Sequence, residues 1–469
     1  MKKLKDKNYN EDKLKDFIDY EKVDKKQVLS YLRKDENEKE TFDVNGFAVY
    51  LQTLIKLLRC ENDNRIYIYR VKGFYQPLQN WYLPAMLKEI FTRCGKLSLC
   101  KYERSIILSL ERNCKDTVKE FNSSNCVNLK NGVLNLDEDI LYPHTPLNSM
   151  FDYILDYEYN KKSKCPEFLK FIKVTCCKNK NLIKVLQEIM GYCLSTRTNA
   201  EKAFFFYGGG CNGKSVLANV IYHLVGQEQS CAVSLESIKG DFAMSAFINK
   251  KVNIASENES MPSTEKLKTL ISCDRINIPR KYLSDWTGKL FTKHIFLMNS
   301  LPNTSDITYG FFRKIIIIPF NHTVSPKEID RDLTVKLMAE LPGILNWAFE
   351  GYKRLIENDY VFTECKAVNR IMKEYMDNEN PTAVFFNDTY EKAPESKILK
   401  SDLYRDYIEW CNQTGAKPMI RKNFLNALEL KANEDDSNIL LDFRRRQGYV
   451  YLIGYQRKND SSTSLILTA

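Results

Sequence analysis

Apolar residues recur at helical spacing in FAVYLQTLIKLL (47–58) and LPAMLKEIFTRC (83–94), so residues 41 to about 119 are expected to be mostly helical. RIYIYRVKGFYQPL (65–78) reads as a hairpin within this stretch. Residues 126–155 read as short strands joined by Asn-Gly and Asp-Glu turns, and helices are expected from about Pro166 to Ser195. An apolar run, FFFY (204–207), predicts a strand before the helical run VLANVIYHLV (216–225). Further buried strands are expected at 252–255, 289–298 and IIIIPF (315–320), followed by helices in TVKLMAELPGILNWAFEGYKRLIEN (334–358) that would form a lid. Asn380-Pro381 reads as a boundary. The expected division is a charged, flexible segment 1–40, a mostly helical N-terminal and oligomerisation domain 41–200, a nucleotide-binding core 201–325, a helical lid and linker 326–385, and a separate C-terminal unit 386–469.

The chemistry begins where strand meets helix. Gly208-Gly209-Gly210-Cys211-Asn212-Gly213-Lys214-Ser215 has the spacing G-x-x-x-x-G-K-S, and Val216 continues into the helix. Glycines let backbone N–H groups close around phosphate oxygens, Lys214 reaches the β- and γ-phosphates, and Ser215 ligates Mg²⁺. The helix N-terminus adds a field that favours negative charge. These residues point to a nucleoside triphosphate.

The strand at 252–255 runs into Ser256-Glu257-Asn258-Glu259, which supplies acid for the Mg²⁺ shell and the attacking water; Glu257 is preferred over Glu259. The strand at 289–298 ends in Asn299, whose amide suits the γ-phosphate or the water. Arg313, before IIIIPF, suits a cation donated across a subunit interface. Residues 276–293 read as a hairpin turning near Trp286-Thr287-Gly288, with Lys281, Lys289 and an exposed Trp286 gripping a single strand by phosphate contact and stacking.

Lys and Arg exceed Asp and Glu by ten (70 against 60), which favours a nucleic-acid partner. No run approaches the roughly 20 apolar residues of a membrane span, and the charged N-terminus lacks a signal-peptide core, so a cytoplasmic protein is expected. The fourteen cysteines include no C-x-x-C and none is spaced with the four histidines as a zinc site, so scattered thiols are expected. In the C-terminal unit, KSDLYRDYIEWCNQ (400–413) and IRKNFLNALELK (420–431) read as helices of a winged helix. Arg421, Lys422 and Asn423 would start the recognition helix, and Arg444, Arg445 and Arg446 would form the wing.

Taken in order, these motifs resemble those of superfamily 3 helicases of the AAA+ class. More closely, the chain resembles the phage and plasmid primase-helicase family, with a layout similar to replication initiators of staphylococcal pathogenicity islands and cassette elements. NLKNGVLNL with YPHTP, GGGCNGKS, ASENE, KLKTLISCDRI, FLMNSLPN, the arginine before IIIIPF, and ELPGILNWAFEGYKRL carry it, over about 129–352. The chain departs at Ser272-Cys273-Asp274, where the family usually has Gly-Gly-Asp or Ser-Gly-Asp, and at Arg313-Lys314, where many members have two arginines. The resemblance implies a multidomain α+β protein with a helical N-terminal domain, an AAA+ α/β ATPase core and a C-terminal winged helix. It further implies Glu257 as Walker B acid, Asn299 as sensor 1, Arg313 as finger, and Lys281 or Lys289 on a pore hairpin. The expected activity is ATP- and Mg²⁺-dependent unwinding by a homo-oligomeric, hexameric ring that initiates replication of a mobile element, contacting single-stranded DNA and duplex origin DNA. The region upstream is too short for the family's primase domain, so a separate primase or host replication proteins would be partners. A DNA-binding regulator with ATP as an assembly switch, and a helicase loader, are the other readings.

Overall fold

The computed structural model describes residues 14–34, 40–256, 258, 261, 264–281, 284–304, 309–325, 330–379, 381–416, 418–432 and 439–458. The first unit has its own core, in which helices Val44–Leu54, Tyr82–Arg93 and Glu103–Asn113 enclose Phe47, Leu87, Ile90 and Phe91. A four-stranded sheet runs beside them in the order Phe74–Pro77, Arg65–Arg70, Leu57–Cys60, Thr117–Val118, and includes the expected hairpin. Leu14, Phe17, Ile18 and Val28 are buried in the helical core, so residues 14–34 are packed structure and the charged segment does not extend to residue 40.

The centre of the chain is a parallel sheet of five strands: β1 (Ala203–Tyr207), β2 (Ser230–Cys231), β3 (Val252–Ala255), β4 (Lys293–Met298) and β5 (Ile315–Pro319), in the order β2-β3-β4-β1-β5. The unbroken apolar runs are what a sheet covered on both faces requires. Along β1, Phe204 and Phe206 enter one core while Ala203 and Phe205 enter the other. Parallel register aligns Phe205 with Phe296 of β4 and Ile317 of β5. This is a multidomain α+β protein with a parallel five-stranded sheet of the kind that forms an ATPase core.

The core on one face takes in α1 (Lys180–Leu194), the helix α2 (Lys214–Val225) that follows β1, and α3 (Leu341–Glu357). Glycines set how closely α1 and α3 approach. A Cβ on Gly191 would lie 2.2 Å from the Ala348 carbonyl oxygen, and one on Gly351 would lie 2.3 Å from that of Gln187. The segment expected as a lid therefore packs elsewhere: α3 lies in the core beneath the sheet, with Ile344, Leu345, Ala348 and Leu355 fully buried. The same core takes in Val127, Val133 and Leu134 from the three-stranded meander Cys126–Leu129, Gly132–Asn135, Ile140–Tyr142, so no core boundary falls at residue 200.

The meander, α1 and the sheet are joined by two buried lysines. Lys251 Nζ donates to the carbonyl oxygens of Cys126 and Leu194, both at 2.7 Å, while Lys293 Nζ donates to those of Ser195 and Phe291. Their ammonium groups thus satisfy carbonyls at the C-terminal end of α1, where positive charge is favoured. A further helix, α4 (Lys366–Glu379), packs against β5 and places Tyr375 Oη 2.5 Å from the Pro302 carbonyl oxygen.

The last unit runs α5 (Thr382–Thr389), β6 (Tyr390–Leu399), α6 (Lys400–Thr414), α7 (Arg421–Ala432), β7 (Phe443–Arg446), β8 (Tyr449–Arg457), with sheet order β6-β8-β7. Phe385, Tyr407, Phe424 and Leu428 form its core. Its β7–β8 hairpin turns on Gln447 (φ 48°) and Gly448 (φ 82°), two left-handed residues that match strand twist. Among the described residues no helix is long and apolar enough to cross a membrane.

Candidate active site

The expected phosphate loop leaves β1 at its carboxyl end, between β4 and β5, and enters α2 through Gly213 (φ 88°). Ligands of open α/β sheets sit at this edge. A cleft of about 440 Å³ lies there, lined by Gly210 to Val216, Ser256, Asn258, Leu297, Met298, Asn299 and Ser300. Gly208 (φ 155°) lies so close to β5 that a Cβ would be 2.4 Å from the Phe320 carbonyl oxygen, whereas Gly209 and Gly210 border open space. Among the described residues the N–H groups of Gly209, Cys211, Asn212 and Gly213 have no protein acceptor, and α2 has no side-chain N-cap. A row of unsatisfied donors at a helix N-terminus fits a polyphosphate.

Three braces hold the loop. Asn212 is buried, and its Nδ2 donates to the Phe320 carbonyl oxygen at 3.1 Å. The Cys211 carbonyl oxygen accepts from the Val324 N–H at 2.8 Å, tying the loop to the chain beyond β5. Gly213 faces Phe171 and Thr175 of the helix Pro166–Thr175, so a segment before residue 200 walls the loop. Lys214 is buried, and its Nζ donates to the Gly208 carbonyl oxygen, to Asn212 Oδ1 at 3.1 Å and to Asn299 Oδ1 at 3.4 Å. Burial lowers its pKa from the ordinary lysine value. Lys214 and Asn299, 85 residues apart, therefore meet in one cleft, and Ser215 lies exposed in its wall.

Glu257 and Glu259 lie outside the described residues. Asn258 between them is buried: its Oδ1 accepts from the Leu235 N–H at 2.9 Å, and its Nδ2 donates to the Ala255 and Leu297 carbonyl oxygens. This amide stitches the ends of β3 and β4 together and puts Ser256 in the cleft. The motif reading passed over Asn258, since an amide between two acids carries no ligand signal; its role follows from strand order.

Arg313 and Lys314 have opposite surroundings. Lys314 is buried, paired with Glu201 Oε2 at 2.8 Å and donating to Ser272 Oγ at 2.6 Å. Arg313 is exposed, just before β5. Because Ala203 is in register with Ile315, Arg313 lies below the first residue of β1, and the loop starts after the last. Five residues at about 3.3 Å each put at least about 16 Å between them. Arg313 is not among the residues that line the cleft.

The hairpin between β3 and β4 pairs Ile276–Ile278 with Trp286–Gly288, so its turn lies within 279–285, not at Trp286-Thr287-Gly288. Trp286 is buried in the sheet's second core and covers Gly288, where a Cβ would be 2.5 Å from its ring. It is not an exposed stacking residue; an indole on the inner face of a short hairpin is worth more as core. Lys281 and Lys289 are exposed, Lys281 with its Nζ 5.4 Å from the Phe242 ring centroid. Arg280 instead reaches the first unit, donating to the Asn62 carbonyl oxygen at 2.8 Å.

In the last unit Arg421, Lys422 and Asn423 are exposed at the start of α7, and Arg444, Arg445 and Arg446 are exposed along β7. Arg444 is paired with Asp442 at 2.7 Å.

Comparison with known proteins bears out the resemblance to D5-type primase-helicases. Residues 60–177 match the family model described as D5 N terminal like, and residues 206–313 match one described as a family of unknown function (DUF5906). Among solved structures, the A form of the apo NrS-1 C terminal region is similar at 13% identity, covering 87% of this chain and 98% of that one, with a TM-score of 0.48. The apo NrS-1 C terminal region 305–718 is similar at 14% identity over the same shares, with a TM-score of 0.47.

Proposed function

We propose that the chain is an ATP-dependent DNA helicase that works as a ring, and an initiator of replication for a mobile genetic element. The observation that supports this reading is the separation of the phosphate-loop cleft from Arg313 along the strands of the sheet. The cleft lies at the carboxyl end of β1 and the exposed Arg313 at the opposite end of the strands, an arrangement in which a neighbouring subunit would complete the site. A hexamer is the ring we favour.

ATP with Mg²⁺ would supply an in-line phosphoryl group whose charge grows toward the transition state. Backbone N–H groups of Gly209, Cys211, Asn212 and Gly213 would hold the phosphates, Lys214 would exchange its protein acceptors for phosphate oxygens, and Ser215 would face the metal. Asn299, already bonded to Lys214, would position the water or γ-phosphate, with Glu257 as its base by resemblance. The neighbour's Arg313 would neutralise equatorial charge. Lys281 and Lys289 would grip the translocating strand. The last unit has the helix and strand order of a winged helix, and we assign duplex origin DNA to Arg421, Lys422, Asn423 and Arg444 to Arg446.

The test is ATP-dependent unwinding of a forked, tailed duplex by wild type beside Lys214→Ala. Unwinding by wild type alone is expected. Hydrolysis without unwinding on either fork polarity refutes the autonomous helicase: recovery on adding a host helicase would identify a loader, and nucleotide-dependent duplex binding alone would identify a switch.

A further inference from the structure

A second cavity, away from the phosphate-loop cleft, lies in the first unit. It has about 1030 Å³, at the upper end of ordinary small-molecule sites. The strands Leu57–Cys60 and Arg65–Arg70 and the helices Tyr82–Arg93 and Glu103–Asn113 wall it. Three arginines line it, Arg59, Arg65 and Arg104, against one acid, Glu111. Arg59 is fixed in place, donating to the Glu111 carbonyl oxygen at 3.3 Å and Asn64 Oδ1 at 3.5 Å. Arg65 and Arg104 are exposed and have no ion-pair partner among the described residues. At the lip stands Trp81, 36% exposed and set edge-on to Tyr82 at 4.5 Å between ring centroids.

We infer that this cleft binds single-stranded nucleic acid, with Arg65 and Arg104 on consecutive phosphates and a base stacked on Trp81. Cations beside an aromatic ring in an open groove are the combination that holds single strands without reading sequence. A duplex offers the same phosphates but hides its base faces, so the tryptophan selects an unpaired strand. The position also fits a path. Asn62, whose carbonyl oxygen receives Arg280 of the ATPase hairpin, sits on the turn that supplies Asn64 and Arg65 to the cleft wall. A strand leaving Lys281 would meet the first unit at that turn. The inference rests on the helicase reading only for the origin of the strand, because binding is measurable without unwinding.

The experiment is fluorescence anisotropy of a labelled oligo-dT on the full-length protein, without nucleotide and across a salt series. Trp81→Ala should weaken binding about 5- to 150-fold, and Trp81→Phe should retain most of it. Arg65→Ala with Arg104→Ala should reduce the slope of log affinity against log salt by about 1.4, two phosphates at roughly 0.7 each. The arginine variants should leave the melting temperature unchanged, since those side chains are exposed; Trp81→Ala also removes a ring contact with Tyr82, so its binding loss is judged against Trp81→Phe and at a temperature below the melting transition of each variant. Wild-type affinity and slope in both sets would overturn the inference, as would equal losses for blunt duplex and oligo-dT. If wild type fails to unwind while these variants lose oligo-dT binding, the motor reading fails and the cleft stands.

Discussion

Mixing two inactive proteins tests the split site most directly. Arg313→Ala removes the cation at the far edge of the sheet, and Lys214→Ala disables the cleft. Arginine fingers are worth about 10³ to 10⁵ in rate, or about 4–7 kcal/mol of transition-state stabilisation, so Arg313→Ala alone should reduce hydrolysis nearly to background. Because at least about 16 Å separates Arg313 from the loop of its own chain, that loss should arise at an interface. In rings assembled from equal amounts of the two variants, about one interface in four joins an intact cleft to an intact finger. Steady-state phosphate release should therefore recover to about a quarter of the wild-type rate if interfaces act independently. No recovery on mixing, or a fully active Arg313→Ala, would refute the argument. Lys314→Ala is the control. Its ion pair is internal but its partner Glu201 is half exposed, so it should cost about 1–2 kcal/mol of stability without creating a complementable defect.

The hairpin makes a second contrast: Trp286→Ala should cost about 3–5 kcal/mol by emptying a core position, seen as a lower melting temperature, whereas Lys281→Ala with Lys289→Ala should melt like wild type and lose DNA-stimulated hydrolysis. Gly191→Ala should destabilise by about 1–3 kcal/mol or more, because the added methyl meets the backbone of α3 at 2.2 Å; soluble yield and denaturant midpoint check it. Burial holds the Lys251 and Lys293 ammonium groups near a pKa of about 7. The unfolded chain therefore binds more protons above that value, and these two groups make stability rise with pH from about 7. Buried thiols such as Cys193, pushed up to about 12, reverse the trend above about pH 9. Thermal melts from pH 7 to 9 should show the rise, and it should flatten in Lys251→Met.

Much of the candidate site is legible in the sequence. The phosphate loop, the strands feeding it and Asn299 follow from contiguous patterns, because each is local: an apolar run for a doubly covered strand, glycines for a turn, an amide at a strand end. Trp286 differs from its expected place because a basic hairpin with an indole looks the same whether the ring faces a strand of DNA or a core, and only its burial in the core that also takes in its partner Ile278 distinguishes them. Residues 326–385 were misplaced as a lid for a related reason, since an amphipathic helix reports that it has a buried face but not what covers it.

The chain by itself determined the chemistry that depends on neighbours in sequence: the loop that presents Lys214 and Ser215, the apolar strands around it, and the amide of Asn299 at a strand end. Tertiary structure alone decided what depends on strand order and packing. It separated exposed Arg313 from buried Lys314, and brought Lys214 to Asn299 across 85 residues. It also buried Trp286 and walled the loop with a helix from before residue 200. Hydrophobic periodicity specifies which face is covered. Which of several apolar surfaces covers it is settled only when all of them compete for the same core.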